Sequence, residues 1–438
     1  MQEKTTTITD EELAEAFSGG KKSKKQSKTD EGKKERKRER SKEGGKDGKD
    51  SGEKGNKQFI CFMTIGGLGF AGGLAMLLYG LFGLSEAMNN DGFPEWNNNS
   101  SSEAVYSPLT GEKLDDASLA TAPAFCIQTP NGTDGARPQA GLDTAGVVFE
   151  AIAEAGITRF AAIYQNPTAA VIGPIRSLRI YYLQWDTPFD CTIVHAGGSG
   201  DALAAVSQGY RDLTEDYSYM YRSNAGARLW NNLFTTSAEL KKFNSDHGYE
   251  TSNIKGFARM TPEENNRARV DGLAAEKLVI TKAAKGNTSE LKPAVTQIGL
   301  TLGGWGAFNV NYTYDAEFNR YLRSYGNGEA HNVYKCPDED MGERSPEEVC
   351  ALEQMKPSVV VAMVVNERRA SDNYHEDIDV IGSGDAYIFQ NGTAIHGTWK
   401  KASKDEQISF VGEDGGEIRL APGQTFVTAV PTYGSIDF

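Results

Sequence analysis

A single apolar run dominates the hydropathy pattern of the chain. Residues 59–84 are 26 consecutive positions without a charged side chain, rich in Leu, Ile, Phe, Met, Ala and Gly. A helix of that length, rising ~1.5 Å per residue, spans ~39 Å, more than the ~30 Å hydrocarbon core of a bilayer. The apolar part of a cleaved signal peptide would be shorter, nearer the start and followed by small residues. We therefore predict one retained transmembrane helix.

Within this run Gly69 and Gly73 are four positions apart. Such spacing lets two membrane helices approach closely, which is compatible with a homodimer formed through this helix. Glycine is also simply frequent in membrane helices, so the spacing has an ordinary explanation as well.

Downstream of a polar linker at 85–105, period-two alternation of apolar residues predicts strands. Residues 147–154 and 158–164 read as a hairpin around a turn at 155–157. Residues 192–195 read as a strand that runs into a Gly-rich loop and a short helix at 201–208. The clearest later strands are 295–300, 310–314, 359–365, 386–389 and 426–430. Asn391-Gly392 between two such runs is a hairpin signal.

These elements predict a mixed α/β or α+β chain, with one N-terminal membrane helix, an α/β domain and a β-rich second domain. The predicted segments are a disordered basic tail at 1–58, the membrane helix at 59–84, the linker at 85–105, a first domain at 106–250, a connector at 251–290 and a second domain at 291–433. The connector contains a helix start at Thr261.

Charge is distributed unevenly about the apolar run. Residues 21–57 hold 16 Lys or Arg against 8 Asp or Glu, whereas the chain after Leu84 holds 29 basic and 47 acidic residues. The cytoplasmic flank of a membrane helix carries the positive excess. The tail is therefore predicted to lie in the cytoplasm and the acidic part outside the cell. The tail's acids are interleaved with its bases, which disfavours nucleic acid as a partner.

Four of the five cysteines fall in the predicted outer part, where disulfides are permitted. Cys336 and Cys350 bracket a polar, acidic insert and are predicted to form a bridge. Cys126 and Cys191 lie in strand-like segments and either pair or remain separate thiols.

Several motifs together resemble the DUF3048 family, the YerB-like envelope lipoproteins, across most of residues 106–433. In the first domain they are Ala136-Arg137-Pro138-Gln139, Glu154-Ala155-Gly156-Ile157-Thr158-Arg159-Phe160, Ile172-Gly173-Pro174-Ile175-Arg176-Ser177 and His195-Ala196-Gly197-Gly198-Ser199. The later part matches more loosely, through Tyr321, Arg323, His331 and Gly397-Thr398-Trp399-Lys400. The resemblance implies an envelope location and two domains, and it supplies no reaction. The family's usual anchor is a lipidated cysteine, where this chain carries a membrane helix.

The polar side chains of the first-domain motifs are the candidate ligand-binding residues: Arg137, Asp143, Glu150, Glu154, Arg159, Arg176, Arg179, His195 and Ser199. The four arginines lie within 43 positions and are candidates for binding one anion, because guanidinium groups bind carboxylate or phosphate in a bidentate fashion. The alternative is that they form structural ion pairs with Asp143, Glu150 and Glu154.

Catalytic arrangements are incomplete in this sequence. Glu150 and Glu154 on one strand would be separated by about 13 Å, beyond the separation that a glycosidase needs. His195 and Ser199 lack the Gly-x-Ser-x-Gly elbow of a hydrolase. No cysteine or histidine spacing resembles a zinc site, and no cofactor is indicated. Trp185, Trp230, Trp305 and Trp399 are predicted to be core residues rather than a platform for sugars.

The sequence therefore favours a membrane-tethered envelope module that binds an anionic ligand or an envelope protein. A cell-wall hydrolase or transferase acting on an anionic polymer is the alternative. The alternative requires Arg159, Arg176, Arg179 and His195 to meet within one ligand's width.

Overall fold

The computed structural model describes residues 104–223, 231–269, 295–337 and 345–438. The predicted tail and membrane helix, at 1–58 and 59–84, lie outside the described residues, as does nearly all of the linker. Within the described ranges, no helix is both long enough and apolar enough to cross a membrane. The described residues all belong to one unit, Asn98–Phe438.

Strands greatly outnumber helices in the described part of the chain. The helices with both ends described are α1 (Ile180–Asp186), α2 (Gly200–Val206), α3 (Ser237–Asp246) and α4 (Pro346–Val349), with 3-10 turns at Ala117–Thr121, Leu142–Thr144, Thr187–Phe189 and Gly306–Phe308. Residues 262–269 are also helical. The strands up to the predicted connector are β1 (Ala124–Pro130), β2 (Val147–Glu154), β3 (Ile157–Gln165), β4 (Thr192–Val194), β5 (Asp212–Leu213), β6 (Tyr221–Arg222) and β7 (Leu233–Phe234). The later strands are β8 (Gln297–Thr301), β9 (Val310–Asp315), β10 (Arg320–Tyr325), β11 (Asn332–Lys335), β12 (Ala351–Gln354), β13 (Val359–Val365), β14 (Glu367–Arg369), β15 (Glu376–Ile378), β16 (Gly382–Gln390), β17 (Thr393–Lys401), β18 (Ser409–Gly412), β19 (Thr425–Pro431) and β20 (Ser435–Asp437).

Both hairpins predicted from turn chemistry are confirmed. β2 and β3 are antiparallel around Ala155 and Gly156, whose φ angles are 49° and 76°. β16 and β17 are antiparallel around Asn391 and Gly392, with φ angles of 54° and 70°. Two successive positive φ angles give the turn a twist that matches the twist of the flanking strands. The predicted helix start at Thr261 is also confirmed, because its hydroxyl accepts the backbone N–H of Glu264 at 3.2 Å.

Ten strands form one mixed sheet in the order β18-β17-β16-β13-β19-β2-β3-β1-β4-β5. β19, near the end of the chain, lies between β13 and β2 and is parallel to both. Its pairing with β2 places Thr428 opposite Glu150. Strands from the predicted ranges 106–250 and 291–433 therefore share a sheet.

Apolar side chains cover both faces of the centre of this sheet. On one face Phe149 of β2 stacks on Trp185 of α1, with ring centroids 4.9 Å apart. On the other face Val148 packs in a cluster with Phe160 and Phe426. Because β2 and β3 are buried on both faces, their sequences are nearly continuous apolar runs. Any charged side chain in these strands must find a partner inside the protein.

A second sheet, β10-β9-β8-β20, is antiparallel throughout. Its buried side chains, which include Leu300, Tyr312 and Tyr321, pack against Val360 and Phe389 of the large sheet. β10 alternates strictly between partly exposed and buried positions, with Tyr321, Arg323 and Tyr325 buried. The mixed α/β fold class predicted from sequence is confirmed, with few helices and extensive sheet.

Two disulfides connect the outer cysteines. Cys336 pairs with Cys350, as predicted. Cys126 and Cys191, whose state the sequence left open, form a second bridge with Cα atoms 5.8 Å apart. Cys126 lies on β1 and Cys191 directly precedes β4, the parallel neighbour of β1. The pairing therefore depends on strand order, which brings together cysteines 65 positions apart.

Candidate functional site

Two arginines share one carboxylate at the end of β2. Arg159, on β3, donates from Nη2 to Oε1 of Glu154 at 2.7 Å, and Arg179, directly before α1, donates from Nη2 to Oε2 at 2.7 Å. Their Nη1 atoms donate to backbone carbonyls, Arg159 to Ser177 at 2.7 Å and Arg179 to Leu178 at 3.0 Å. Glu154 therefore holds both guanidinium groups, and the adjoining loop orients them.

Arg176 lies on the same loop, at a partly exposed position. Its backbone N–H donates to Gln128 of β1 at 2.8 Å, and its carbonyl accepts the N–H of Ala196 at 3.0 Å. The N–H of Leu178 donates to Gly197 at 3.0 Å, so residues 176–178 run beside 196–198. The fold thus fixes the backbone from which Arg176 extends. Glu154, Arg159, Arg176 and Arg179 are called the arginine cluster below.

The arginine cluster carries more positive than negative charge. Burial raises the pKa of Glu154, but Arg159 and Arg179 outweigh burial and the pKa lies below its usual value, so the carboxylate is ionised. Burial lowers the pKa of the Arg176 guanidinium; Arg159 lowers it further, while Glu154 and Asp134 oppose the decrease. Within these four side chains, three guanidinium groups face one carboxylate, and Asp134 is a further acid that acts on Arg176.

Part of this surplus charge is buried without full compensation. Arg159 and Arg179 are only 4% and 5% exposed. The Nε atom of each is buried and has no hydrogen-bond partner among the residues that the structure describes. A buried cation that is incompletely paired is costly, and an anion that binds there would offset that cost.

Glu150, the other candidate glutamate, belongs to a separate buried network. Arg323 of β10 donates from Nη2 to both carboxylate oxygens of Glu150, at 2.9 and 2.8 Å, and both side chains are 0% exposed. The hydroxyl of Thr158 donates to the same carboxylate at 3.1 Å, and that of Thr428 at 3.4 Å. An ion pair this deeply buried serves the fold, because no ligand can reach it.

His331 extends this network. Its Nδ1 contacts Nη1 of Arg323, and its Nε2 lies 3.0 Å from Oε1 of Gln139. Burial lowers the pKa of His331 well below its usual value, and Arg323 and Arg137 lower it further. The ring is therefore neutral, with Nδ1 accepting from Arg323 and Nε2 donating to Gln139. Gln139 in turn donates from Nε2 to the carbonyl of Pro130 at 3.0 Å.

Arg137 and Asp143 lie away from the arginine cluster. Arg137 donates from Nε to Asn131 at 2.9 Å, and its guanidinium carbon lies 3.6 Å from the ring centroid of Tyr325. Asp143 lines a different cavity, of about 350 Å³, together with Arg320 and others. Arg137 therefore lies apart from the other three arginines. The alternative prediction, structural ion pairs with acids, holds for Arg159 and Arg179, which both pair with Glu154.

His195 and Ser199 have structural positions. His195 is 0% exposed; its Nδ1 contacts the carbonyl of Gly197 at 2.7 Å and its Nε2 contacts Asp212 at 2.9 Å. Ser199 precedes α2, and its side chain makes no capping bond. Both ring nitrogens of His195 are therefore engaged in hydrogen bonds within the protein.

No metal centre is found within the described ranges, where no group of three or more His, Cys, Asp or Glu side chains is arranged to hold an ion. The chemistry that the arginine cluster supports is binding of an anion through guanidinium hydrogen bonds.

Two family models match the chain. "Protein of unknown function (DUF3048) N-terminal domain" matches residues 109–250, and "Protein of unknown function (DUF3048) C-terminal domain" matches residues 300–427. The chain belongs to the DUF3048 family. The family resemblance seen in the sequence motifs is confirmed.

One curated relative of this DUF3048 chain is "Putative lipoprotein YerB" of Bacillus subtilis (strain 168), 26% identical over 363 residues, which are 81% of this chain and 93% of the relative. The crystal structure of YerB protein from Bacillus subtilis superposes with a TM-score of 0.57 at 23% identity, covering 76% of this chain and 100% of that chain. The superposition shows that the two proteins share a fold.

The two DUF3048 domains meet in the buried network, since Glu150 lies in the first matched range and Arg323 in the second. Sequence analysis did not identify this pair. A signal was present: Glu150 interrupts an apolar strand, and Arg323 falls on the buried face of the alternating strand β10. Because the two residues are 173 positions apart, the sequence did not indicate that they are partners.

Proposed function

We propose that this DUF3048 protein is a membrane-anchored, extracytoplasmic binding protein that takes an anionic envelope ligand at the arginine cluster. The observation that carries the proposal is the sharing of one carboxylate, Glu154, by two buried arginines. A purely structural ion pair would balance its charges, whereas this arrangement leaves a positive surplus beside the partly exposed Arg176.

Phosphate and carboxylate groups are the anions whose geometry fits guanidinium donors. Arg176 is the side chain that first meets such a ligand, because Arg159 and Arg179 are nearly enclosed. The charges of those two buried arginines lie behind it and favour an anion at Arg176 without touching it. On binding, the ligand loses water molecules and gains hydrogen bonds from a guanidinium group. Because a guanidinium group can donate two parallel bonds, a ligand group with two or more oxygens is favoured.

Membrane anchoring is supported by the apolar run at 59–84 and by the asymmetric charge of its flanks. The curated relative bears the name of a lipoprotein, which agrees with an envelope location. The alternative hypothesis, a hydrolase or transferase, has less support because His195 is 0% exposed and a substrate cannot reach its ring.

The ligand proposal is tested by titrating the full chain, in a neutral detergent, with polyphosphate and with polyglutamate, which carry phosphate and carboxylate respectively. The test variant is Arg176→Ala, which leaves both bonds to Glu154 in place. The matched control is Arg419→Ala, which removes an equal charge from an exposed pair with Glu264.

Loss of a charge-assisted hydrogen bond costs about 1.5–3 kcal/mol, so Arg176→Ala is expected to weaken binding about tenfold or more while Arg419→Ala changes it little. Equal affinities for both variants, or no saturable binding of either polymer to the unaltered protein, would remove the proposal.

The anchoring proposal is tested separately by protease treatment of intact cells. We expect the part after residue 85 to be digested from outside while the first 58 residues stay protected. Protection of the C-terminal part until the cells are lysed would contradict this topology.

A further inference from the structure

A cavity of about 500 Å³ lies at the β2–β3 turn and is lined by none of the three arginines of the arginine cluster. It opens between this turn, the loop after β8, the β14–β15 hairpin and the turn before β20. Its chemistry is set by Gly156, Trp305, Glu367, Arg369, Glu376 and Tyr433. These residues and their volume are called the indole cavity below. The volume lies in the range of small-molecule sites.

The most unusual member is Trp305, which is 65% exposed. The prediction of a core tryptophan is wrong for Trp305, whereas Trp185 and Trp399 are buried at 0% and 3%. Trp230 lies outside the described residues. A Cβ atom added to Gly156 would lie 3.2 Å from Cδ1 of Trp305, so the indole rests against a turn that has no side chain at that position. The ring is thus supported at the turn and largely open to solvent.

Gly303 leaves room for the ring of Tyr433, which also lines the cavity. At Gly303, with φ of 74°, an added Cβ would lie 2.2 Å from Cε2 of Tyr433. The phenol ring therefore packs on bare backbone, and its hydroxyl donates to Oε1 of Glu367 at 2.8 Å. This bond fixes the carboxyl group that lines the cavity.

The β14–β15 hairpin supplies charged groups of both signs. Arg369 lies directly opposite Glu376 in the hairpin register, and Glu367 is two positions before Arg369 on the same strand. Because side chains alternate along a strand, all three project from the same face. Arg368, which also lines the cavity, is already paired with Asp377 at 3.7 Å and with Asp379 at 2.9 Å. Arg369 offsets Glu376, and burial raises the pKa of Glu367 to about 7, so the cavity is close to neutral overall.

We propose that the indole cavity binds a neutral oligosaccharide, with one sugar ring stacked on Trp305 and its hydroxyls bonded to Glu367, Arg369 and Glu376. Sugars present C–H groups on a ring face and hydroxyls around the ring edge. An open indole matches the face, and adjacent donors and acceptors match the edge. A charged ligand would find no opposite net charge in this cavity.

The ionisation of Glu367 agrees with a polyhydroxylated ligand. Burial raises its pKa to about 7; the bond from Tyr433 opposes the increase, and Glu376 adds to it. Near neutral pH the carboxyl is therefore partly protonated, so it can donate as well as accept hydrogen bonds. A hydroxyl group, which does both, is a suitable partner for either form.

The test uses the full chain in a detergent without a sugar headgroup, so that no competing glycoside is present. Chitotriose, cellotriose, maltotriose and mannotriose are titrated one at a time, by calorimetry and by the fluorescence of the exposed indole. The variants are Trp305→Ala and Trp305→Phe. The matched control is Phe318→Ala, which removes an equally exposed aromatic ring, at 66%.

We expect at least one trisaccharide to bind. Trp305→Ala should weaken that binding about tenfold, while Trp305→Phe should retain most of it because a stacking ring remains. Phe318→Ala should bind as the unaltered protein does. The proposal is overturned if none of the four sugars binds, or if Trp305→Ala and Phe318→Ala bind alike.

This inference is independent of the proposed anion site. Arg176→Ala should leave trisaccharide binding unchanged, and Trp305→Ala should leave polyphosphate and polyglutamate binding unchanged. Loss of saccharide binding in Arg176→Ala would contradict the assignment of the sugar to the indole cavity alone.

Discussion

Replacing Arg323 by methionine is expected to destabilise the protein strongly. Arg323 and Glu150 are both 0% exposed and joined by two hydrogen bonds of 2.9 and 2.8 Å. Removing one member of a buried ion pair leaves an uncompensated charge and typically costs about 3–5 kcal/mol. The same cost is expected for Glu150→Gln, which strands the guanidinium group instead.

The double variant, Glu150→Gln with Arg323→Met, is expected to lose less than the sum of the single losses. It removes both charges together, so no isolated ion remains in the core. Contacting residues show coupling energies of about 0.5–3 kcal/mol, and a pair this enclosed should lie near the upper end. The measurement is urea unfolding at pH 7, followed by circular dichroism, for the four members of this cycle.

The matched control is Arg419→Met, which removes an arginine from a solvent-exposed pair with Glu264. Exposed pairs contribute about 0–1 kcal/mol, so this variant should unfold close to the unaltered protein. Losses from Glu150→Gln and Arg323→Met that simply add, or single losses below about 1 kcal/mol, would refute the view that this pair holds the two DUF3048 domains together.

Three further predictions concern acids and disulfides. The pKa of Glu154 is lower in the folded protein, so its contribution to stability is present above the unfolded pKa and is lost as pH falls through the folded pKa. The difference in unfolding free energy between the protein and Glu154→Gln should therefore shrink on acidification. A constant difference would contradict this. The pKa of Glu367 is raised to about 7 in the folded protein, so its contribution to stability is present below the unfolded pKa and is lost as pH rises through 7. Glu367→Gln should therefore gain stability relative to the unaltered protein between pH 5 and 8. A difference in unfolding free energy that stays constant over this range would argue against it. The bridge between Cys336 and Cys350 closes a short loop, so replacing both by serine should cost roughly 3 kcal/mol in urea unfolding, and unchanged stability would count against the chain-entropy account.

The hairpins were predictable because their signals are local. Gly156 and Gly392 supply positive φ at the two turns, and an apolar run rich in strand-forming residues flanks each turn on both sides. The bridge from Cys336 to Cys350 was predictable for a similar reason, since both cysteines flank one polar insert. In each of these elements the partners lie within a short stretch of chain.

The strand order was not predictable from local patterns. β19 enters the centre of the ten-stranded sheet beside β2, and Thr428 bonds to Glu150 across 278 positions. Buried parallel strands read as continuous apolar runs, which indicate burial without naming a neighbour. The pairing of Cys126 with Cys191 depends on the same long-range order, because it requires β4 beside β1.

The candidate site was predicted in part. Arg159, Arg176 and Arg179 were candidates either for binding an anion or for structural ion pairs, and the structure places two of them on Glu154. Arg137 shares their residue type and spacing, yet it turns toward Tyr325 and Asn131. Sequence spacing cannot indicate which side of a strand or loop a side chain takes when the flanking residues are turns. The exposure of Trp305 was missed for the same reason.

The central claim, that the arginine cluster binds an anion, is tested most directly by crystals of the protein soaked in selenate. Selenate has the shape and charge of sulfate and gives an anomalous signal. The account predicts an anomalous peak within hydrogen-bond distance, about 3 Å, of a guanidinium nitrogen of Arg159, Arg176 or Arg179. Selenate bound only at other surface cations, with none at this cluster, would contradict it.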